Sequence, residues 1–561
     1  MAERTTKRVN KDWWKEAVFY QVWPRSFADG NGDGIGDLKG IYDKLEYIKE
    51  LGADAIWFSP LYVSPQKDYG YDIADYYNIA PEYGTMDDFK KVLNKAHLLG
   101  MKVIMDLVIN HTSNEHKWFL KSRKGGDDNP YKDYYIWRKG KGKDGKRFPN
   151  NWNSTFPGDG WQYDEVRKEY YLHLFAIEQP DLNMDNPKVR EEVKNIMRFY
   201  LEMGIDGFRE DVITFISKRK GLPNGFPLPT ARGMEHYVNG PNIHKYLAEF
   251  REVLDEYGAV TVGEAPLINA KTALKYIDEK NKTLDMMFHF QHMEADCMFI
   301  SWFKLPFNLV KLKKVYNRWQ EKLYNRAWNA LFLENHDQPR IISRYGSEKF
   351  REESGKALAC MYLCQSGTPF IYQGQEIGMT NYPFKELDEF VDVNTFAFYK
   401  LLRKFGFSHK NILNKARYAA RDNARTPMQW NDGKKAGFTT AEKPWFSVNP
   451  NYTEINVEES KKRPDSLLNF YKKLIAFRKE SKALIFGSFH LYYKRNKRLF
   501  IYEKRYENDR VFVVINLSEK PTKLKVPSEV NLQDFELSIS NYEQNTNILK
   551  PYECRIYTLR R

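Results

Sequence analysis

Short apolar runs recur along the chain, most of them followed by a stretch whose apolar positions repeat at helical spacing. The runs are AVFYQVWP (17–24), AIWFSP (55–60), KVIMDLVI (102–109), GFREDV (207–212), VTVGE (260–264), MMFHF (286–290), NALFLENHD (329–337) and PFIYQGQE (369–376). Their helical companions include TMDDFKKVLNKAHLLG (85–100) and NPKVREEVKNIMRFYLEMG (186–204). Apolar strands alternating with helices predict parallel βα units, and eight such runs predict a closed (β/α)8 TIM barrel of the α/β class. Residues 111–181, rich in Gly, Asn, Asp, Lys and Trp, separate the third and fourth strands and read as an inserted subdomain. From residue 485 the pattern changes to RLFIYEKRY, VFVVINLS and CRIYTLRR, alternating strands of a C-terminal antiparallel β-sandwich. The expected organisation is a barrel from 1–110 and 182–484, an insertion at 111–181 and a β domain at 485–561.

Polar residues break these runs at one end. GFREDVITF (207–215) places Arg209, Glu210 and Asp211 in a strand that is otherwise apolar. Buried strands rarely carry charge without a function for it. Strand alternation puts Arg209 and Asp211 on one face, pointing inward. Asp106, Asn110 and His111 follow strand 3, Glu264 ends strand 5, and His336 and Asp337 end strand 7. Barrel active sites form at the C-terminal ends of the strands, so these side chains are expected to converge on one mouth.

Asp211, Glu264 and Asp337 give a triplet of carboxylates. Two carboxyls flanking a glycosidic bond suffice for hydrolysis, one as nucleophile and one as acid and then base. Arg209 beside Asp211 is expected to keep that carboxylate ionised and aimed. Glu264, among apolar neighbours in VTVGEAPL, is expected to have a raised pKa suited to an acid.

With these residues in place the chain resembles α-amylase-type glycoside hydrolases (glycoside hydrolase family 13), of the oligo-1,6-glucosidase and α-glucosidase branch. The matching segments are DLVINHTS (106–113), GFREDVI (207–213), TVGEAP (261–266) and ENHDQPR (334–340). YGYDIADY (69–76), QPDLN (179–183), GTPFIYQGQEIGMTN (367–381) and RDNARTPMQW (421–430) extend the resemblance in order over nearly the whole chain. It implies Asp211 as nucleophile, Glu264 as acid/base and Asp337 as transition-state stabiliser. It also implies that Asp72, His111, Arg209, His336 and Arg421 hold the nonreducing glucose, with Phe175 and Gln179 nearby and Tyr71 offering a stacking face. A pocket closed at that glucose implies an exo-acting enzyme on small oligosaccharides. Val212, next to the nucleophile, accompanies α-1,6 activity in the proteins this chain resembles, whereas Ala or Thr accompanies α-1,4 activity. The alternatives are an α-1,4-glucosidase, a sucrose-active hydrolase or isomerase, and a trehalose-6-phosphate hydrolase; a non-enzymatic transporter heavy chain is disfavoured by the intact triplet. The chain departs from the common pattern at Tyr69, Glu210 and Glu334, which leaves the preference for the leaving group open. The segment 217–240 is expected to wall that side.

In DGNGDGIGD (29–37), Asp29, Asn31, Asp33 and Asp37 alternate as calcium ligands do, with the Ile35 carbonyl between them. The twelfth position is Gly40, so the loop is not an EF-hand. The resemblance implies structural calcium, or magnesium, at this loop and no cofactor for the chemistry.

Composition narrows the picture further. With 42% hydrophobic and 29% charged residues and no apolar run near ~20 residues, no membrane helix is expected. MAERTTKRVNKDWWKEAVFY, the first twenty residues, lacks a signal-peptide core, so a cytoplasmic protein is expected, a monomer or weak homo-oligomer. The net charge of +14 raises nucleic-acid binding, but the basic residues are scattered, and the densest run, WRKGKGKDGKR (137–147), reads as a Gly-rich loop. Aromatics at 15% suit stacking on sugar faces. Cys297, Cys360, Cys364 and Cys554 are too few for a disulfide framework and show no zinc spacing.

Overall fold

The computed structural model describes residues 12–228, 231–280, 282–298, 300–543 and 546–559. The polar segment 1–11, on which part of the cytoplasmic expectation rests, lies outside them. The barrel strands are β1 (Phe19–Val22), β2 (Ala55–Phe58), β3 (Lys102–Leu107), β4 (Gly207–Glu210), β5 (Val260–Glu264), β6 (Met286–Phe288), β7 (Ala330–Leu331) and β8 (Thr368–Tyr372). They pair in parallel in the order β6-β5-β4-β3-β2-β1-β8-β7. A parallel bridge from Met287 to Asn329 joins β6 to β7 and closes the ring. Buried on both faces, the strands carry no apolar/polar alternation, which is why they read as continuous apolar runs. Gly207 opens β4 because nothing larger fits: a Cβ there would sit 2.0 Å from the Val260 carbonyl oxygen.

The helices begin and end on local signals. Helix α1 (Met86–Leu98) starts at a capping box, Thr85 accepting from the Asp88 N–H while the Asp88 side chain accepts from the Thr85 N–H. Helix α2 (Pro187–Met203) has Asn186 as N-cap, Pro187 in its first turn and Gly204 in the left-handed conformation after it. Helix α3 (Ile243–Tyr257) likewise stops at left-handed Gly258. Helix α4 (Arg351–Leu363) is buried nearly all round, because it lies between the barrel and the C-terminal sheet. Helix α5 (Val393–Lys404) follows β8 and has only Thr395 and Leu402 fully buried among its residues.

Between β3 and β4 a three-stranded antiparallel sheet forms from Trp137–Arg138, Trp161–Asp164 and Glu169–Leu172. A bridge between His111 and Asp181 stitches together the points where the chain leaves and rejoins the barrel. At the C-terminus, β9 (Ser488–Tyr492), β10 (Leu499–Tyr506), β11 (Asp509–Asn516), β12 (Phe535–Ser540) and β13 (Cys554–Leu559) form an antiparallel sheet in the order β9-β10-β11-β13-β12. Alternation divides its side chains: Phe500, Tyr502, Val511 and Val513 join the main core, while Leu499, Ile501, Phe512 and Val514 form a smaller one. The four cysteines are free and buried, with Cys360 Sγ 3.3 Å from Cys554 Sγ across the junction of α4 and β13. None of the helices described is long and apolar enough to cross a membrane.

Two strands are shorter than the apolar runs suggest. β7 covers only Ala330–Leu331 of the predicted 329–337, since Glu334 to Asp337 bend away as a loop over the barrel mouth. β4 ends at Glu210, and Val212 takes φ 35° and ψ 40°. A β-branched residue in the left-handed region is strained, and this kink turns the chain sharply just after Asp211.

Candidate active site

Arg209 organises the mouth. Its guanidinium, 1% exposed, contacts three carboxyls: Nη1 is 2.6 Å from Asp106 and 2.7 Å from Asp211, and Nη2 is 2.7 Å from Glu264. Trp57 lies 5.1 Å from it and donates its indole N–H to Asp106. Three carboxyls around one cation in a buried pocket cannot all ionise freely. Burial pushes Asp106 up to about 6 against the pull of Arg209. Burial also raises Asp211, with Glu264 and Asp106 adding to the effect while Arg209 opposes it. Arg209 does pull Asp211 toward its ionised form, as expected, but burial and the two neighbouring carboxyls push more strongly the other way. Glu264 is not in the apolar environment its neighbours in sequence suggest: its Oε2 accepts from Arg209 and, at 3.1 Å, from the Val212 N–H. The Val212 kink is what aims that N–H at Glu264.

Asp337 sits among cations. Its Oδ1 is 2.9 Å from Arg425 and 3.2 Å from Arg421, and its Oδ2 is 3.4 Å from His336 Nε2. Burial works against it, yet His336, Arg421 and Arg425 together hold its carboxyl well below the usual range. His336 is itself kept neutral by burial, its pKa near 3, and is sandwiched between Trp23 and Tyr71, each with centroid 5.1 Å away. The Gln21 amide meets its Nδ1 at 2.8 Å. One face of Tyr71 is thus taken by His336, and its hydroxyl donates to Asp106 at 3.0 Å.

At the far wall, Arg421 reaches Asp68 at 2.9 Å and grips both oxygens of Asp392. Gln179 donates to Asp68 at 3.1 Å and meets His111 Nε2 at 3.1 Å. Phe175 tilts against His111 at 5.0 Å. Burial lowers His111 to about 4, so it too is neutral.

The structure brings together Tyr71, His111, Phe175, Gln179, Arg209, Asp211, Glu264, His336, Asp337 and Arg421. Asp72 is the exception. Its oxygens accept from Ser64 Oγ and from the backbone N–H groups of Lys67 and Asp68, so it braces the loop. Asp68, four residues earlier in KDYGYD, takes the place at the site. Sequence reasoning also missed Asp392 and Arg425. Arg425 lies four residues after Arg421, a spacing that could have suggested it; nothing in the sequence singles out Asp392. The departures noted at Tyr69, Glu210 and Glu334 lie outside the carboxylate group. Glu210 faces away from the mouth and accepts from Thr261 Oγ1 at 2.7 Å. Glu334 pairs with Arg340 at 3.0 Å. Tyr69 lies under Arg25 and Arg425.

Segment 217–240 packs on the insertion. The Lys218 ammonium is 2.6 Å from Asp181 and 2.8 Å from Asn110 Oδ1, and Trp152 donates to the Pro223 carbonyl. Residues 229–230 of this wall lie outside the described residues. In the 29–37 loop the residue types suit a hard cation. Here, however, Asp29 accepts from the N–H groups of Asn31, Gly32 and Gly34, and Asp37 from those of Gly30, Asn31 and Gly40. Among the described residues, no three acidic, histidine or cysteine side chains converge at ligand spacing.

Comparison with known proteins agrees with this geometry. The alpha amylase catalytic domain model matches residues 21–487. An oligo-1,6-glucosidase of Parageobacillus thermoglucosidasius is 48% identical over 565 residues, covering 98% of this chain and 100% of its own. Two solved structures superpose closely. The trehalose-6-phosphate hydrolase of Bacillus licheniformis has TM-score 0.91 and 41% identity, covering 98% of this chain and 100% of its own. An isomaltulose synthase from Klebsiella has TM-score 0.93 and 42% identity, covering 98% of this chain and 99% of its own. A family model matched over most of the chain and a relative 48% identical over nearly its full length settle the family: the chain belongs to the alpha-amylase family of glycoside hydrolases.

Proposed function

We propose that the protein is an exo-acting, retaining α-glucosidase that releases glucose from the nonreducing end of short oligosaccharides and prefers α-1,6 links. The observation that carries this is Arg209 bridging Asp211 and Glu264, with the opposite wall of the pocket closed by the Asp68–Arg421–Asp392 ion-pair chain. One guanidinium touching both carboxyls keeps them close, as in retaining enzymes, where the separation is about 5–5.5 Å and a water does not fit between sugar and base. In the productive form Asp211 is ionised and Glu264 carries the proton. Asp211 attacks the anomeric carbon while Glu264 protonates the departing oxygen. Glu264, now a carboxylate, then takes a proton from the water that releases glucose. Asp337, held ionised by three cationic or polar neighbours, faces the positive charge that develops on the ring.

The α-1,6 preference is supported by the similarity to oligo-1,6-glucosidases and by Val212 at the turn beside the nucleophile. Rates on isomaltose, maltose, sucrose and trehalose 6-phosphate test it. Isomaltose should be best, with α-glucose as first product by NMR. β-Glucose first, or a clear preference for trehalose 6-phosphate or for isomerising sucrose, would overturn the reading. A cytoplasmic enzyme, monomeric or weakly associating, with calcium at 29–37 belongs to the same proposal; the oxygen-only donor set supports the metal. Chelation is expected to lower the melting temperature, because a ligand bound to the native state adds stability, with little change in activity at low temperature. An unchanged melting temperature counts against a bound metal.

A further inference from the structure

Two basic stretches that lie far apart in sequence meet in space. Lys218, Arg219 and Lys220 follow one another in SKRKG (217–221), and Arg138 stands at the start of WRKGKGKDGKR (137–147). Together they line a concave pocket of about 460 Å³ between the first strand of the insertion, the approach to α2 and the loop that follows β4. That volume lies within the roughly 300–1,000 Å³ of small-molecule sites. The loop is held in place from three sides. The Leu222 N–H closes a turn onto the Arg219 carbonyl at 3.1 Å, the Arg219 N–H donates to the His236 carbonyl at 2.8 Å, and Asn150 of the insertion donates to the Leu222 carbonyl at 3.0 Å.

The four cations have different tasks. Lys218 is 6% exposed and turns inward onto Asp181 and Asn110. On its other side the Asn110 amide lies 3.3 Å from His111 Nδ1, so this buried pair parts the pocket from the sugar site. Arg138, Arg219 and Lys220 are exposed, and none of them forms an ion pair among the described residues. Asp185 alone is acidic among the residues lining the pocket, and it accepts from Asn242 and from the Tyr246 hydroxyl. Cations without an acid partner give a concave site a positive potential, which its low-dielectric walls focus. Guanidinium forks and an ammonium are the groups that recognise phosphate. A nucleic-acid strand needs a track of charge to follow; here the charge is gathered into a pocket, which favours a small ligand.

We propose that this pocket is a phosphate-binding site, taking inorganic phosphate or the phosphate group of a small ester, separate from the glucose pocket and independent of the glucosidase reading. Calorimetric titration of the full-length protein with inorganic phosphate, glycerol 3-phosphate and neutral glycerol, at constant ionic strength, tests it. The pocket variant is Arg138→Gln/Arg219→Gln/Lys220→Gln. The control, Lys497→Gln/Lys523→Gln/Lys525→Gln, removes the same charge from exposed positions of the C-terminal domain. Wild type and control should bind the phosphates alike and glycerol not at all, and the pocket variant should bind the phosphates at least ~10-fold more weakly through loss of charge-assisted contacts. With that loss, tighter binding of the ester than of the ion assigns an ester as ligand, and equal binding assigns the free ion. No phosphate binding by the wild type tighter than about 10 mM, equal affinity in the pocket variant, an equal loss in the control, or binding of single-stranded RNA but of neither phosphate overturns the proposal.

Discussion

Replacing Arg209 by Met tests how far this site depends on one cation. The change keeps the side-chain length over Trp57 and removes the guanidinium that touches Asp106, Asp211 and Glu264, at 2.6, 2.7 and 2.7 Å. Breaking a buried pair by removing one partner costs about 3–5 kcal/mol, since the other charge stays buried without compensation. The cost must depend on pH. Asp106 is already raised by burial to about 6 in the presence of Arg209, against about 3.9 for an unfolded Asp. A native carboxyl with a raised pKa binds protons that the unfolded chain has lost, so stability falls as pH rises from the unfolded toward the native value. Without Arg209 the native pKa values rise further, and the fall extends to higher pH. Urea unfolding at pH 5 and pH 8 should therefore show a deficit near the full ~3–5 kcal/mol at pH 8 and a smaller one at pH 5, where protons replace the lost cation. Arg209→Lys should recover part of the stability, but not kcat, because an ammonium cannot bridge two carboxyls as a fork does. A deficit under about 1 kcal/mol at pH 8, within the scatter of ordinary substitutions, or one independent of pH, would refute the reasoning.

Other positions give independent checks. Glu210, raised by burial to about 7 and with no partner for Oε2 among the described residues, burdens the fold increasingly from about pH 4.3, its unfolded value, up to about 7; Glu210→Gln should stabilise the protein by up to roughly 3 kcal/mol at pH 8 and by little near pH 4, as urea midpoints will show. Asp68→Asn should lower kcat/KM by about 10²-fold or more through loss of a charged contact, whereas Asp72→Asn should mainly lower the melting temperature; the opposite pattern would return Asp72 to the sugar site. Val212→Thr should narrow or reverse the preference for isomaltose over maltose, within the ~1–3 kcal/mol that methyl-sized contacts supply, and an unchanged ratio of kcat/KM values would place specificity in segment 217–240.

The barrel was legible in the sequence because its strands are buried on both faces: the chemistry of burial writes itself as unbroken apolar runs, and charges at their ends stand out. All eight strands lie where those runs are, and Arg209, Asp211, Glu264, His336 and Asp337 meet at one mouth. The sequence also marks the helix ends, as at Thr85, Asn186 and Gly204, since caps are local interactions. What only the tertiary structure decided are the identities that depend on direction and on distant partners. Asp68 and Asp72 lie in the same loop, and only its backbone path turns one toward Arg421, 353 residues away in sequence, and the other onto loop N–H groups. Asp392 joins the site from the N-cap of α5, a position without an apolar frame to read. The neighbours of Glu264 in sequence are apolar, but its neighbours in space are Arg209 and the Val212 N–H, brought to it by a strained turn that no propensity predicts. Periodicity records which residues are buried; which polar groups they are buried against is set by how the strands and loops meet.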